Sequence, residues 1–184
     1  MFEELIVLKL VCQKLDSAKI PYMLTGSFAA NFYAVPRMTR DIDIVIEIHK
    51  PTDTHMLMQL FQNEFYIDKA SIDEAQKTYG MFNIIHNEFI FKIDFIIRKN
   101  TPYSYTEFQR KNRVLFDGIP VWIVSPEDLI ISKLLWAKDS MSEMQFRDVK
   151  NLLQSIKNLN LEYLSEWIQN LELKQLYERV QING

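Results

Sequence analysis

Three carboxylates carry the first chemical signal. Asp41 and Asp43 stand one residue apart in the run Arg40-Asp-Ile-Asp-Ile-Val-Ile-Glu-Ile, and Asp94 lies in Phe91-Lys-Ile-Asp-Phe-Ile-Ile. Both runs are rich in β-branched residues and alternate with period two, the pattern of half-buried strands. Alternation puts Ile42, Ile44, Ile46 and Ile48 on one face and Asp41, Asp43, Val45 and Glu47 on the other. Asp41 and Asp43 are then roughly 6.6–7 Å apart at Cα and point the same way. In the second run Phe91, Ile93, Phe95 and Ile97 share a face, leaving Lys92 and Asp94 opposite. If the strands are neighbours, three carboxylates converge. Close carboxylates repel one another and must take up protons or hold a cation. An all-oxygen donor set selects Mg²⁺ or Mn²⁺ rather than zinc. Two such ions would serve phosphoryl or nucleotidyl transfer. An isolated Asp-x-Asp can equally decorate a solvent face or protect an edge strand.

Of four glycines, Gly118 fits a hairpin, Gly80 a turn and Gly184 the terminus. Gly26 has no such routine job. It sits with Ser27 where a strand passes into a helix, a place where backbone N–H groups can meet a phosphate. Arg37 and Arg40, just before the acidic strand, could neutralise phosphate charge or pair with the carboxylates.

The elements that position these residues follow from periodicity and punctuation. An amphipathic helix is expected over 2–18, a strand over 22–25, a short helix over 28–33 and the acidic strand over 40–48. Helices follow at 51–63 and near 71–77, then strands at 81–85 and 89–97 and a helix at 103–111. Asp117-Gly118 between apolar runs predicts a hairpin of 114–116 and 119–124. Ser125-Pro126-Glu127-Asp128 opens a helical tail, with Ser as cap and Pro in the first turn, and further helices at 142–158, 161–169 and 171–182. The fold class is therefore α/β (α+β): a mixed twisted sheet of about five or six strands with helices on one face, over 1–124, and a helical C-terminal segment, 125–184, packed against it. Trp122, Trp136 and Trp167 fall in apolar stretches and are assigned to core or interface.

Composition narrows the class. The chain has 184 residues, 48% hydrophobic, and a single cysteine, so neither an internal disulfide nor a cysteine-based zinc site can form. No apolar run is long enough to span a bilayer and no signal peptide is recognisable, giving a cytoplasmic protein as the expectation. The net charge of −3 argues against nonspecific nucleic-acid binding. Yet residues 92–113 hold six basic side chains against two acidic ones, which could form a phosphate-facing surface.

Taken together, Gly26-Ser27, the spacer, Asp41-Ile42-Asp43 and a later lone Asp94 resemble the DNA polymerase beta-like nucleotidyltransferase superfamily. The segment Thr25-Gly-Ser-Phe-Ala-Ala with Arg37, Thr39 and Arg40 is similar to small bacterial members, among them abortive-infection toxin-type and antibiotic nucleotidyltransferases. The resemblance implies that Gly26, Ser27 and Arg40 bind the nucleotide. It further implies that Asp41, Asp43 and Asp94 ligate Mg²⁺ or Mn²⁺, with Asp94 helping to deprotonate the acceptor. Lys133, on a helix apolar almost all round, needs an anionic partner, either a triphosphate or Asp148. In the toxin-type group a Lys and a following Asp complete the site.

The expected function is transfer of NMP from an NTP to a hydroxyl acceptor, such as an RNA or tRNA end, a protein or a small molecule, with release of pyrophosphate. The alternative is a non-catalytic interaction module, such as a toxin–antitoxin component, docking a protein partner or a second copy through the C-terminal helices.

Overall fold

The computed structural model describes residues 3–182; Phe2, at the start of the first expected helix, and Gly184 lie outside them. Helix α1 (Glu3–Ser17) buries Val7, Leu8, Val11, Cys12 and Leu15 on one stripe, the spacing of an amphipathic helix. Strand β1 (Tyr22–Thr25) leads without a loop into α2 (Gly26–Tyr33), and β2 (Asp41–Ile46) follows. Next come α3 (Pro51–Phe61), β3 (Phe65–Ile67), α4 (Lys69–Thr78), β4 (Met81–His86) and β5 (Lys92–Ile97). Helix α5 (Pro102–Gln109), the hairpin β6 (Asn112–Phe116) and β7 (Ile119–Ile123), and helices α6 (Pro126–Ser140), α7 (Glu143–Ser155), α8 (Leu161–Asn170) and α9 (Lys174–Ile182) complete the described chain.

The strands form one mixed sheet in the order β3-β4-β5-β2-β1-β7-β6. It has seven strands rather than the five or six expected, the addition at one edge being three-residue β3. Strand β2 is central, antiparallel to β1 and parallel to β5. Its isoleucines are fully buried while Asp41, Asp43 and Val45 are partly exposed, the alternation read from sequence.

Strand β5 is shorter than expected. Phe89 and Ile90 belong to a turn in which Ile90 takes φ 54°, so their apolar character does not extend the strand. At the hairpin both Asp117 (φ 48°) and Gly118 (φ 79°) are left-handed, the geometry that matches strand twist in a two-residue turn. Side-chain caps start several helices: Asp68, Thr101, Ser125 and Asn160 each accept from the backbone N–H three residues on. Buried side chains from Val7 to Val180 form one continuous core, to which α6–α9 contribute Leu129, Leu134, Val149, Leu152, Leu164 and Ile168. No described helix is long and apolar enough to cross a membrane.

Candidate active site

Register brings the acids together. Asp43 on β2 lies directly opposite Asp94 on β5, and Asp41 opposite Lys92. Paired residues of parallel neighbours share a face, so Asp41, Asp43, Lys92 and Asp94 all rise from the side away from the isoleucines. On the other flank Thr25 of β1 is opposite Asp43, which places the β1–α2 corner against the same carboxylate.

Gly26 is required at that corner. It adopts φ +64°, and a Cβ added there would fall 1.9 Å from Asp43 Oδ2. The backbone of α2 therefore packs on the carboxylate, and the Ser27 N–H donates to it. Thr25 caps α2 without a side-chain hydrogen bond, so other N–H groups of the first turn lack a cap from their own helix.

Crowding sets the electrostatics. Burial, then the Asp94 charge, push the Asp43 carboxyl up to about 6; Lys133 opposes the shift and Asp41 adds to it. Asp94 is buried, and its Oδ1 has no hydrogen-bond partner while Oδ2 accepts from Lys92 Nζ at 2.8 Å. Asp41 is 46% exposed in its side chain and lies 3.5 Å from the same ammonium. Among the described residues no three His, Cys, Asp or Glu side chains are gathered into a ready-made metal cage. The backbone juxtaposes the three acids, and Lys92 holds two of them.

A second cluster stands across α2. Arg37 donates through Nε and Nη2 to both oxygens of Asp148 at 2.9 Å, and through Nη2 to Ser27 Oγ at 2.6 Å. Lys133 Nζ donates to Asp148 Oδ2 at 2.8 Å and to Gln145 Oε1 at 3.3 Å. Of the two partners the sequence left open for Lys133, this structure shows Asp148. Two cations on one buried carboxylate leave a positive charge beside Ser27 and the α2 N-terminus. Burial drives the Asp148 carboxyl up, but hydrogen bonds from Arg37 and Lys133 outweigh it and hold the group below its ordinary 3.8. Arg40 is exposed, outside this hydrogen-bonded cluster.

This cluster makes a sharp prediction. Asp148→Ala strands a buried ammonium and should cost about 3–5 kcal/mol in urea unfolding at pH 7. A carboxyl held low in the folded state contributes stability above its unfolded pKa and loses it as pH falls further, so the deficit should shrink in acid. Lys133→Met with Asp148→Leu, which removes the buried ammonium along with the carboxylate but leaves Arg37 without its partner, should recover part of the loss.

Gly26, Ser27, Asp43, Lys133 and Gln145 line a small cavity that adjoins a cleft of about 620 Å³. Thr25, Ile96, Ser132 and Trp136 belong to both. Trp136, expected in core or interface, is 54% exposed here. Trp167 packs partly buried on Tyr103. Gln145 and the Ser132–Glu107 hydrogen bond in the cleft wall carried no sequence signal.

The three arginines of the basic stretch are each paired with acids inside the fold. Arg98 pairs with Glu47, Arg110 with Glu127 and Asp128, and Arg113 with Asp16. The partners lie far off in sequence, so local charge counting missed them.

A family model described as "Nucleotidyltransferase of unknown function (DUF6036)" matches residues 3–182. The chain belongs to this family. No curated protein sequence matches it. Among solved structures, this nucleotidyltransferase is similar to an antigenic nucleotidyltransferase-like protein from Paracoccidioides brasiliensis, with TM-score 0.57, 19% identity, and 96% of this chain and 91% of the other covered. The antibiotic-resistance factor ANT(2'')-Ia aligns with TM-score 0.61 and 13% identity over 96% of this chain and 95% of that one. The lincosamide antibiotic adenylyltransferase LnuA, solved with lincomycin, aligns with TM-score 0.56 and 12% identity over 85% and 99%. At these identities the likeness is one of fold, and it agrees with the superfamily resemblance carried by Gly26-Ser27 and the acids.

Proposed function

We propose that this nucleotidyltransferase is a metal-dependent enzyme that moves NMP from an NTP to a hydroxyl acceptor. The observation that carries the reading is the opposition of Asp43 and Asp94 in register, with Asp94 Oδ1 buried and unpartnered. Two carboxylates so placed need a proton or a cation, and their oxygen donors suit a hard divalent ion. Asp43 and Asp94, joined by Asp41 from the rim, would hold Mg²⁺ or Mn²⁺. When bound, the ion supplies charge neutralisation at the attacking and leaving oxygens.

The protein's own groups do the rest. The first turn of α2, where Asp43 already takes the Ser27 N–H, would turn its positive dipole end to the triphosphate, and the net positive charge of the Arg37–Asp148–Lys133 cluster stands behind it. Asp94 accepts the proton of the acceptor hydroxyl as its oxygen bonds to the α-phosphorus. The bond from that phosphorus to the bridging oxygen breaks, and pyrophosphate leaves toward the cationic cluster. The neighbouring cleft, within the usual 300–1,000 Å³ of small-molecule sites, has room for a reactant of nucleoside size. ANT(2'')-Ia has been solved with adenylyl-2''-tobramycin, and LnuA with lincomycin. Those named molecules and the internally paired arginines here favour a small hydroxylated acceptor over a nucleic-acid backbone.

Incubation with each α-labelled NTP, Mg²⁺ or Mn²⁺, and fractionated small-molecule and macromolecular extracts tests the reading. Label should appear on an acceptor with equimolar pyrophosphate. Absence of metal-dependent binding of every NTP would contradict it.

A further inference from the structure

Lys92 occupies an unusual position for a side chain so near a site that calls for a divalent cation. Its ammonium is 2.8 Å from Asp94 Oδ2 and 3.5 Å from Asp41 Oδ1, bridging two of the three acids. The neighbouring strand supplies no competing charge: Ile85 of β4 is opposite Lys92 and Asn83 opposite Asp94. Lys92 is 38% exposed at its side chain, and its four-carbon stem can carry the charge away from the acids into solvent.

We infer that Lys92 is a tethered counter-ion, seated on Asp41 and Asp94 in the metal-free protein and exchanged for the divalent cation when that ion arrives. The inference rests on the metal-dependent reading above and assigns Lys92 a positioning role within it. An ammonium against Asp94 Oδ2 blocks one donor oxygen and repels the incoming ion. It also pairs with Asp41 at the rim, 3.5 Å away. Metal binding must therefore break two ion pairs. The price is a weakened affinity for metal alone; the gain is a site whose carboxylates do not repel one another while it waits. The freed ammonium then lies beside the reaction centre, able to face nucleotide phosphate.

Mn²⁺ titration followed by the electron paramagnetic resonance of the free ion tests this without turnover. Lys92→Met should bind Mn²⁺ about tenfold more tightly than the parent, because a competing unit charge is gone. Lys92→Arg should not. In the parent, Mn²⁺ should raise the rate of Lys92 acylation, read by mass spectrometry, several-fold, with Lys99 as an exposed reference. Circular dichroism verifies that each variant is folded. Equal or weaker Mn²⁺ binding by Lys92→Met, or acylation unchanged by Mn²⁺ that demonstrably binds, would overturn the inference while sparing the metal reading. If neither parent nor Lys92→Met binds Mn²⁺, with or without NTP, both fall.

Discussion

Asp41→Asn combined with Asp43→Asn should abolish NMP transfer, a loss of at least about a thousandfold, while the protein stays folded. Asparagine keeps the shape and one acceptor oxygen of each side chain but removes the negative charge that would hold a divalent ion. The single Asp43→Asn variant should go further and be more stable than the parent at neutral pH. The Asp43 carboxyl sits at about 6 against an ordinary 3.8, so the folded protein binds that proton more tightly than the unfolded chain does. Parent stability therefore falls as pH rises from about 4 through 6, and the full penalty persists above. The neutral amide of the Asp43→Asn variant carries no such penalty. Discounted for the partial exposure of Asp43, the difference is on the order of 1–2 kcal/mol, a rise in Tm of roughly 2–6 °C at pH 7.5 in EDTA. It should vanish near pH 4. Thermal unfolding at the two pH values checks both signs, and saturating Mn²⁺ should stabilise the parent only.

Gly26→Ala should be nearly as damaging to activity and, unlike the asparagine variants, should lower stability. Two costs coincide there. A left-handed φ of +64° is unfavourable for alanine, and the new methyl would lie 1.9 Å from Asp43 Oδ2 and 2.6 Å from Cγ. Asp43 is rooted in a central strand, so either its side chain leaves the rotamer that opposes Asp94 or α2 lifts from the sheet. The expected stability loss is about 1–3 kcal/mol. NMP transfer should fall at least about a hundredfold, because a misplacement near 1 Å is enough for that. Gly118→Ala supplies the control. It shares a positive φ (+79°) but meets nothing within 4 Å, so it should show the conformational cost alone with transfer intact. Chemical unfolding and steady-state assays on both variants separate strain from collision.

Much of this site could be read from the chain because its signals are local. Strict alternation in 40–48 assigned each side chain to a face, and Gly26 stood out once the other glycines had jobs. Lys133 announced a partner because an apolar helix surface has no other use for an ammonium. What escaped were features decided by distant segments. Strand β3 is too short for any period to show, and it exists because β4 offers an edge. Phe89 and Ile90 look like strand residues and turn instead. Arg37 could have served phosphate or carboxylate; only the fold reveals that one guanidinium spans Ser27 and Asp148. The partners of the arginines in the basic stretch escaped for the same reason, since Asp16, Glu47 and Asp128 reach them from elsewhere.

The most direct measurement is anomalous diffraction from crystals grown with Mn²⁺ and a non-hydrolysable NTP. A manganese peak within coordination distance of both Asp43 and Asp94, with the triphosphate against the first turn of α2, is the expected result. An ordered nucleotide bound elsewhere, or at this corner with no metal on either carboxylate, would contradict a cation-dependent transferase.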